Sequence, residues 1–148
     1  MVNQFKKNNN NLVSRFKAKL EITCLAIHPN EDCIATGTKS GKIILWYNYL
    51  QNGDEPMTVD NAVSEQIKAT KSVLHWHSLP VLSLCFTPEG SYLLSGGHEC
   101  VLVKWMYRTG QTEFKPRLGA PIDDIVLSRD NTLYASHHLD NSKDLILL

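Results

Sequence analysis

The sequence predicts an all-β fold. Three observations carry that prediction. Short apolar runs alternate with small or polar residues at the period of a pleated strand. Tight-turn residues punctuate those runs at regular intervals. The same strand–turn–strand–turn–strand wording then occurs more than once. Val81–Trp105 reads VLSLCFTPEGSYLLSGGHECVLVKW and Ile22–Trp46 reads ITCLAIHPNEDCIATGTKSGKIILW. Pro29 and Pro88, Gly37 and Gly96, and Trp46 and Trp105 are each 59 residues apart. A third, weaker copy starts at Ile122, which stands 41 residues after Val81, as Ser136 stands 41 after Ser95. A period of roughly 40–45 residues is that of a propeller blade. The expected architecture is therefore a partial β-propeller of about three blades, an open and unclosed arc.

Taken in order, residues 1–11 are an asparagine-rich, low-complexity stretch, expected to be a disordered tail because it has no apolar surface to bury. From 12 to 20, Leu12, Phe16, Ala18 and Leu20 share one parity and Arg15, Lys17 and Lys19 the other, the pattern of a strand with one basic face. The blade-like units are expected at about 20–50, 77–112 and 118–148, with a polar inter-blade insertion at 51–71. In the first unit, Asn30-Glu31-Asp32 replaces the Pro-Glu-Gly turn of the second, and Ser40-Gly41 supplies the next turn. Ile43-Ile44-Leu45-Trp46 reads as a strand buried on both faces. Val59–Ala69 has room for one or two helical turns within the insertion. In the second unit, Leu82, Leu84 and Phe86 alternate with smaller residues. Pro88-Glu89-Gly90 and Gly96-Gly97-His98-Glu99 make the turns, and Gln111–Pro116 is a short outer strand. The third unit begins at Ile122–Ser128 and ends in the apolar run Leu145–Leu148.

Bulk properties narrow the function classes. The chain has 148 residues and no formal net charge. A closed propeller needs about 4–8 blades, so a fragment, or a ring completed by other sequence, is expected. No apolar run approaches the ~18 residues of a membrane helix. Cys24, Cys33, Cys85 and Cys100 are irregularly spaced, which fits a reducing compartment better than a disulfide framework. His75 and His77 with Cys85 or Cys100 lack the close ligand pairs of structural zinc, so no metal is expected. His137-His138-x-Asp140 suggests a general base, but neighbouring strand residues point to opposite faces. No G-x-S-x-G, Walker or H-E-x-x-H pattern is present, and Ser95–Gly97 leads into a strand rather than the helix a phosphate cradle uses. Catalysis, cofactors and small-molecule substrates are not expected. Arg15, Lys17 and Lys19, with Lys6 and Lys7, make the first 20 residues wholly basic, while the other 128 carry a net −5. These residues are candidate RNA or partner contacts, although a solvated strand face with a flexible tail is the commoner reading of such a charge run.

The strand–PEG–strand–SGG–strand–Trp pattern, with a histidine before it, resembles a WD repeat, and the likeness covers residues 12–148. DCIATG…SGKIILW, LHWH, LLSGGHECVLVKW and FKPRLGAPI resemble more specifically the tandem-propeller branch found in the nucleolar small-subunit processome. That resemblance implies a non-enzymatic scaffold acting in pre-18S rRNA processing, ribosome biogenesis and linked rDNA transcription. Its implied partners are other processome proteins and pre-rRNA or snoRNA, and its location the nucleus and nucleolus. The alternative is a peptide-binding WD-repeat adaptor in a signalling or ubiquitin-ligase complex. The family ties each blade with a hydrogen-bonded His, Ser/Thr, Asp and Trp set. His77, Ser95 and Trp105 match it in the second unit, with Glu99 in the place of Asp. Thr36 and Trp46 match it in the first, where Ala18 and Ser40 stand at the histidine and acid positions. Ser136 and Asp140 match it in the third, which has no tryptophan. The second unit is thus expected to hold the most complete network.

Overall fold

A computed structural model describes residues 21–48, 70–139 and 146–147. The expected tail at 1–11, the basic strand at 12–20 with Arg15, Lys17, Ala18 and Lys19, the helical turns at 59–69, and Asp140 lie outside the described residues.

All regular structure among the described residues is strand, arranged in three antiparallel sheets. The first contains β1 (Ile22–Ile27), β2 (Cys33–Thr38), β3 (Lys42–Tyr47) and β4 (Thr70–His75) in that order. The second contains β5 (Val81–Phe86), β6 (Leu93–Gly97), β7 (Val103–Met106) and β8 (Gln111–Phe114). The third contains β9 (Ile122–Leu127), β10 (Tyr134–His138) and β11 (Ile146–Leu147). Each sheet is a meander whose neighbours in sequence are neighbours in space, the arrangement of a propeller blade. β5 lies against β1 and β2, and β9 lies against β5 and β6, so the blades stack face to face in chain order.

The sheets differ from the sequence reading in one respect. The polar segment after Tyr47 does not separate two blades. It joins β3 to β4, which pair from Lys42↔His75 to Tyr47↔Thr70. Thr70–His75 is the outer strand of the first blade, and Thr70 and Lys71 belong to that strand rather than to the insertion. The spacing misleads because β4 lies only five residues before β5 in sequence, while its partner β3 is more than twenty residues away.

The repeats agree in finer detail. The register of each first strand slips at one residue: Thr23 between Ile22 and Cys24, Leu82 between Val81 and Ser83, and Asp123 opposite the His137/His138 step. These three bulges keep the same 59- and 41-residue spacing as the sequence anchors. A bulge bends and twists the strand that carries it, and the bulged Thr23 donates its hydroxyl to Val81 O of the second blade. Gly37 and Gly96 explain the close approach. A Cβ on Gly37 would lie 2.9 Å from Val81 Cγ1, and one on Gly96 would lie 2.6 Å from Ile122 Cγ2. Val81 and Ile122 are themselves equivalent first-strand residues. The second and third blades thus each set a first-strand apolar residue into a slot that only glycine leaves open.

The main core is the seam between the first two blades, where Cys33, Ala35, Ile43 and Leu45 meet Val81, Leu84, Phe86 and Trp105. A smaller seam joins Leu94 and Leu102 to Ile122 and Ile125. The equivalent residues of β1 have no such cover among the described residues: Ile22, Leu25 and Ile27 are 41%, 63% and 63% exposed.

Candidate functional site

The polar residues of the second blade form one directed relay. Trp105 Nε1–H on β7 donates to Ser95 Oγ on β6 at 2.8 Å. His77 Nε2, from the β4–β5 link, lies 2.8 Å from the same hydroxyl. His77 Nδ1 lies 3.0 Å from Glu99 Oε2 in the β6–β7 turn. A carboxylate only accepts, so Nδ1 carries the proton and Nε2 accepts from Ser95 O–H. Glu99 Oε1 then accepts the backbone N–H groups of Ser78 at 2.7 Å and Leu79 at 2.5 Å. Glutamate in place of aspartate keeps the histidine contact and reaches two amides of the link.

Electrostatics agree with a neutral histidine. Burial lowers the His77 pKa from its ordinary 6.5, and the Glu99 hydrogen bond and charge oppose that shift without reversing it. Burial pushes the Glu99 carboxyl up, but the Leu79 amide and His77 are among the groups that hold it below its ordinary 4.5.

Serine, histidine and carboxylate stand in the order of a hydrolase triad. The site cannot act as one in this form. Ser95 and His77 are fully buried, and the Trp105 N–H already occupies the serine oxygen where an attacking lone pair would be needed. What the relay does chemically is fasten two strands, a link and a turn to one another.

The other blades vary this device. In the first, Trp46 Nε1 donates to Thr36 Oγ1 at 3.0 Å, and Ser40 Oγ lies 3.1 Å from Thr38 Oγ1. In the third, Ser136 Oγ is met by His138 Nε2 at 3.0 Å, and His138 Nδ1–H donates to Ala120 O at 2.9 Å. His138 is two residues from Ser136 on one strand and therefore on the same face. Its buried ring supplies from within the strand what His77 supplies from the link. His137 points the other way, onto Asp123 Oδ1 at 2.6 Å. The two histidines do not share a site.

A second polar cluster, absent from the sequence reading, crosses between the first two blades. His28 follows β1 and is buried. Its Nδ1 accepts the N–H groups of Asn30 and Glu31 at 3.1 and 2.9 Å, so the proton is on Nε2. Nε2 faces Gly90 O at 2.9 Å and Tyr107 Oη at 3.0 Å, both in the second blade. Tyr107 O–H donates to Glu31 Oε2 at 3.1 Å, and Arg108 pairs with Glu31. The signal was available in the repeat itself. Thr87 and Ser128 occupy the equivalent positions, and their hydroxyls accept turn N–H groups from Tyr92 and Leu133. Position 28 is thus a turn-capping position at which histidine also reaches the next blade.

The four cysteines are free thiols. Burial raises the Cys24 and Cys33 pKa values to about 11, which keeps both protonated and poorly nucleophilic. Among the described residues no group of three or more His, Cys, Asp or Glu side chains is arranged to hold a metal ion. No helix among them is long and apolar enough to cross a membrane.

Comparison with known proteins agrees with this geometry. Residues 3–141 match the family model described as the WD repeat-containing protein 75 first beta-propeller. The chain is 45% identical over 129 residues to WD repeat-containing protein 75 of Danio rerio, covering 86% of this chain and 14% of that protein. It is 45% identical over 84 residues to U3 small nucleolar RNA-associated protein 17 of Schizosaccharomyces pombe, covering 57% of this chain and 10% of that one. Among solved structures it superimposes on the Cps50 (Swd1) β-propeller domain of Myceliophteria thermophila, with a TM-score of 0.66 at 18% identity. That match covers 93% of this chain and 38% of the other, and it bears on fold alone. The chain therefore spans about one seventh of the length of the Danio rerio relative.

Proposed function

This chain belongs to the WD repeat-containing protein 75 family, through that protein's first β-propeller, and from this premise we propose that it serves as a non-enzymatic scaffold in the nucleolar small-subunit processome. Its work is contact. Blade rims and faces engage other processome proteins and pre-rRNA or snoRNA during pre-18S rRNA processing, with a linked effect on rDNA transcription. Its place is the nucleus, chiefly the nucleolus. The observation that carries this reading is the match to one family over residues 3–141. A relative whose name records association with U3 small nucleolar RNA supports it. Chemistry is consistent: the one Ser–His–acid relay among the described residues is sealed, and its residues His77, Ser95, Glu99 and Trp105, with Thr36 and Trp46 in the first blade, act structurally. Arg15, Lys17 and Lys19 are assigned as contacts to RNA or a partner.

The test is to tag the full-length parent protein, image it and identify what it precipitates. Nucleolar enrichment with U3-associated proteins is expected. A diffuse cytoplasmic signal, or recovery of a short peptide motif without ribosomal precursors, would replace the scaffold with a peptide-reading adaptor.

A further inference from the structure

One end of the first two blades presents an aromatic pair, one ring of which also packs edge-on against His77 at 5.0 Å. Trp76 follows β4 directly, and Phe114 is the last residue of β8. Their ring centroids are 4.8 Å apart with planes tilted by 40°, so the pair bridges adjacent blades. Trp76 and Phe114 are nonetheless 41% and 45% exposed. Large aromatic faces left in water mark an interaction surface more often than a packing need.

Beside the pair three cations, Lys42, Lys115 and Arg117, stand against one exposed carboxylate, Glu113. Lys42 pairs in register with His75, one residue before Trp76. Lys115 and Arg117 follow Phe114, held along the blade end by Lys115 N–H to Leu102 O and Leu118 N–H to Cys100 O. Lys42 and Arg117 are exposed and have no ion-pair partner among the described residues, while Lys115 shares the exposed Glu113 with Lys104. No acidic residue occurs from Thr70 to Thr87. Glu99, the carboxylate of the neighbouring turn, is committed to His77 and two backbone amides. The hairpin turns at the other end carry Glu31, Asp32, Glu89 and Asp130 together with Arg108 and Arg129.

We propose that this rim binds single-stranded RNA, with bases stacking on Trp76 and Phe114 and phosphates held by Lys42, Lys115 and Arg117. Stacking on exposed aromatics requires unpaired bases, which excludes a duplex, and every base offers a π face. The cations lie on both sides of the aromatic pair in chain and register, as a strand passing over it requires. This surface is separate from Arg15, Lys17 and Lys19, and the inference does not depend on the processome assignment.

The test uses the purified 148-residue chain, a fluorescein-labelled 15-nucleotide oligouridine, and anisotropy read at two salt concentrations, with tryptophan emission followed in parallel. Binding should quench tryptophan emission and weaken as salt rises. Trp76→Leu and Phe114→Leu should each weaken binding by about tenfold. Lys42→Glu with Arg117→Glu should weaken it by at least as much and flatten its salt dependence. The two charge reversals are at exposed positions, so they keep the test decisive if an aromatic variant misfolds. Polyglutamate or inorganic polyphosphate competing as well as RNA does would overturn the proposal, as would undiminished binding by the charge-reversed chain or no binding at all. Such a failure leaves the nucleolar precipitation experiment untouched.

Discussion

Replacing Ser95 by alanine removes one oxygen and strands two buried groups. Trp105 N–H loses its acceptor at 2.8 Å and His77 Nε2 loses its donor at 2.8 Å. Trp105 is only 3% exposed and His77 not at all, so water cannot replace either bond without opening the blade. An unsatisfied buried group costs about 1–3 kcal/mol, and two of them set an expected loss of about 2–6 kcal/mol. Thr36→Val provides the contrast. It removes the 3.0 Å acceptor of the Trp46 indole N–H, but Trp46 is only partly buried and makes other contacts; the loss should be about 1 kcal/mol or less. Guanidinium titration followed by tryptophan emission measures both. A Ser95→Ala loss equal to or below that of Thr36→Val would refute the view that the relay is a sealed structural tie.

Other consequences follow from the stacking of the blades. Gly96→Ala should cost about 1–3 kcal/mol, because the new Cβ would lie 2.6 Å from Ile122 Cγ2 and 2.8 Å from Ile122 Cβ; in a double-mutant cycle with Ile122→Ala the pair should cost less than the sum of the two single changes. Phe86→Ala, inside the main seam, should cost about 3–5 kcal/mol, whereas Ile27→Ala, at the equivalent position of β1, should change the stability of this chain by less than about 0.5 kcal/mol. Stability should fall with acid in two stages. His77 has a lowered pKa in the fold, so below pH 6.5 the unfolded chain takes up a proton that the fold resists. Glu99 is also held below its ordinary value, so its contribution is present above pH 4.5 and lost as pH falls through its folded value. Guanidinium midpoints at pH 7.5, 5.5 and 4 check both stages, and His77→Ala should flatten the first.

Much of this architecture was legible because repeats expose themselves by spacing. The 59- and 41-residue offsets located the strands, and the same offsets later recovered the bulges at Thr23, Leu82 and Asp123. Ser95, Trp105 and His77 could be named because a serine, a tryptophan and a preceding histidine recur at fixed places in such a unit. What escaped depended on strand pairing across long gaps. The polar insertion reads as lying between blades, since only the hydrogen bonding of β4 to β3 places it within the first. His28 reads as the end of a strand, because its use depends on Gly90 and Tyr107, more than sixty residues away. His138 was visible in a His-His pair, but its role required knowing which ring turns inward. The exposure of Trp76 and Phe114 was hidden for a related reason: an aromatic residue at a strand end looks like core until the neighbouring blade is in place.

The central structural claim is that the second and third blades each seat their first strand on a glycine of the blade before. Through-space proton contacts in solution test it most directly. Val81 methyl protons should show strong cross-peaks to the Gly37 α-protons, and Ile122 methyl protons equally strong ones to those of Gly96. Contacts confined to residues within each four- or three-stranded sheet, with neither glycine cross-peak present, would contradict the stacked arc.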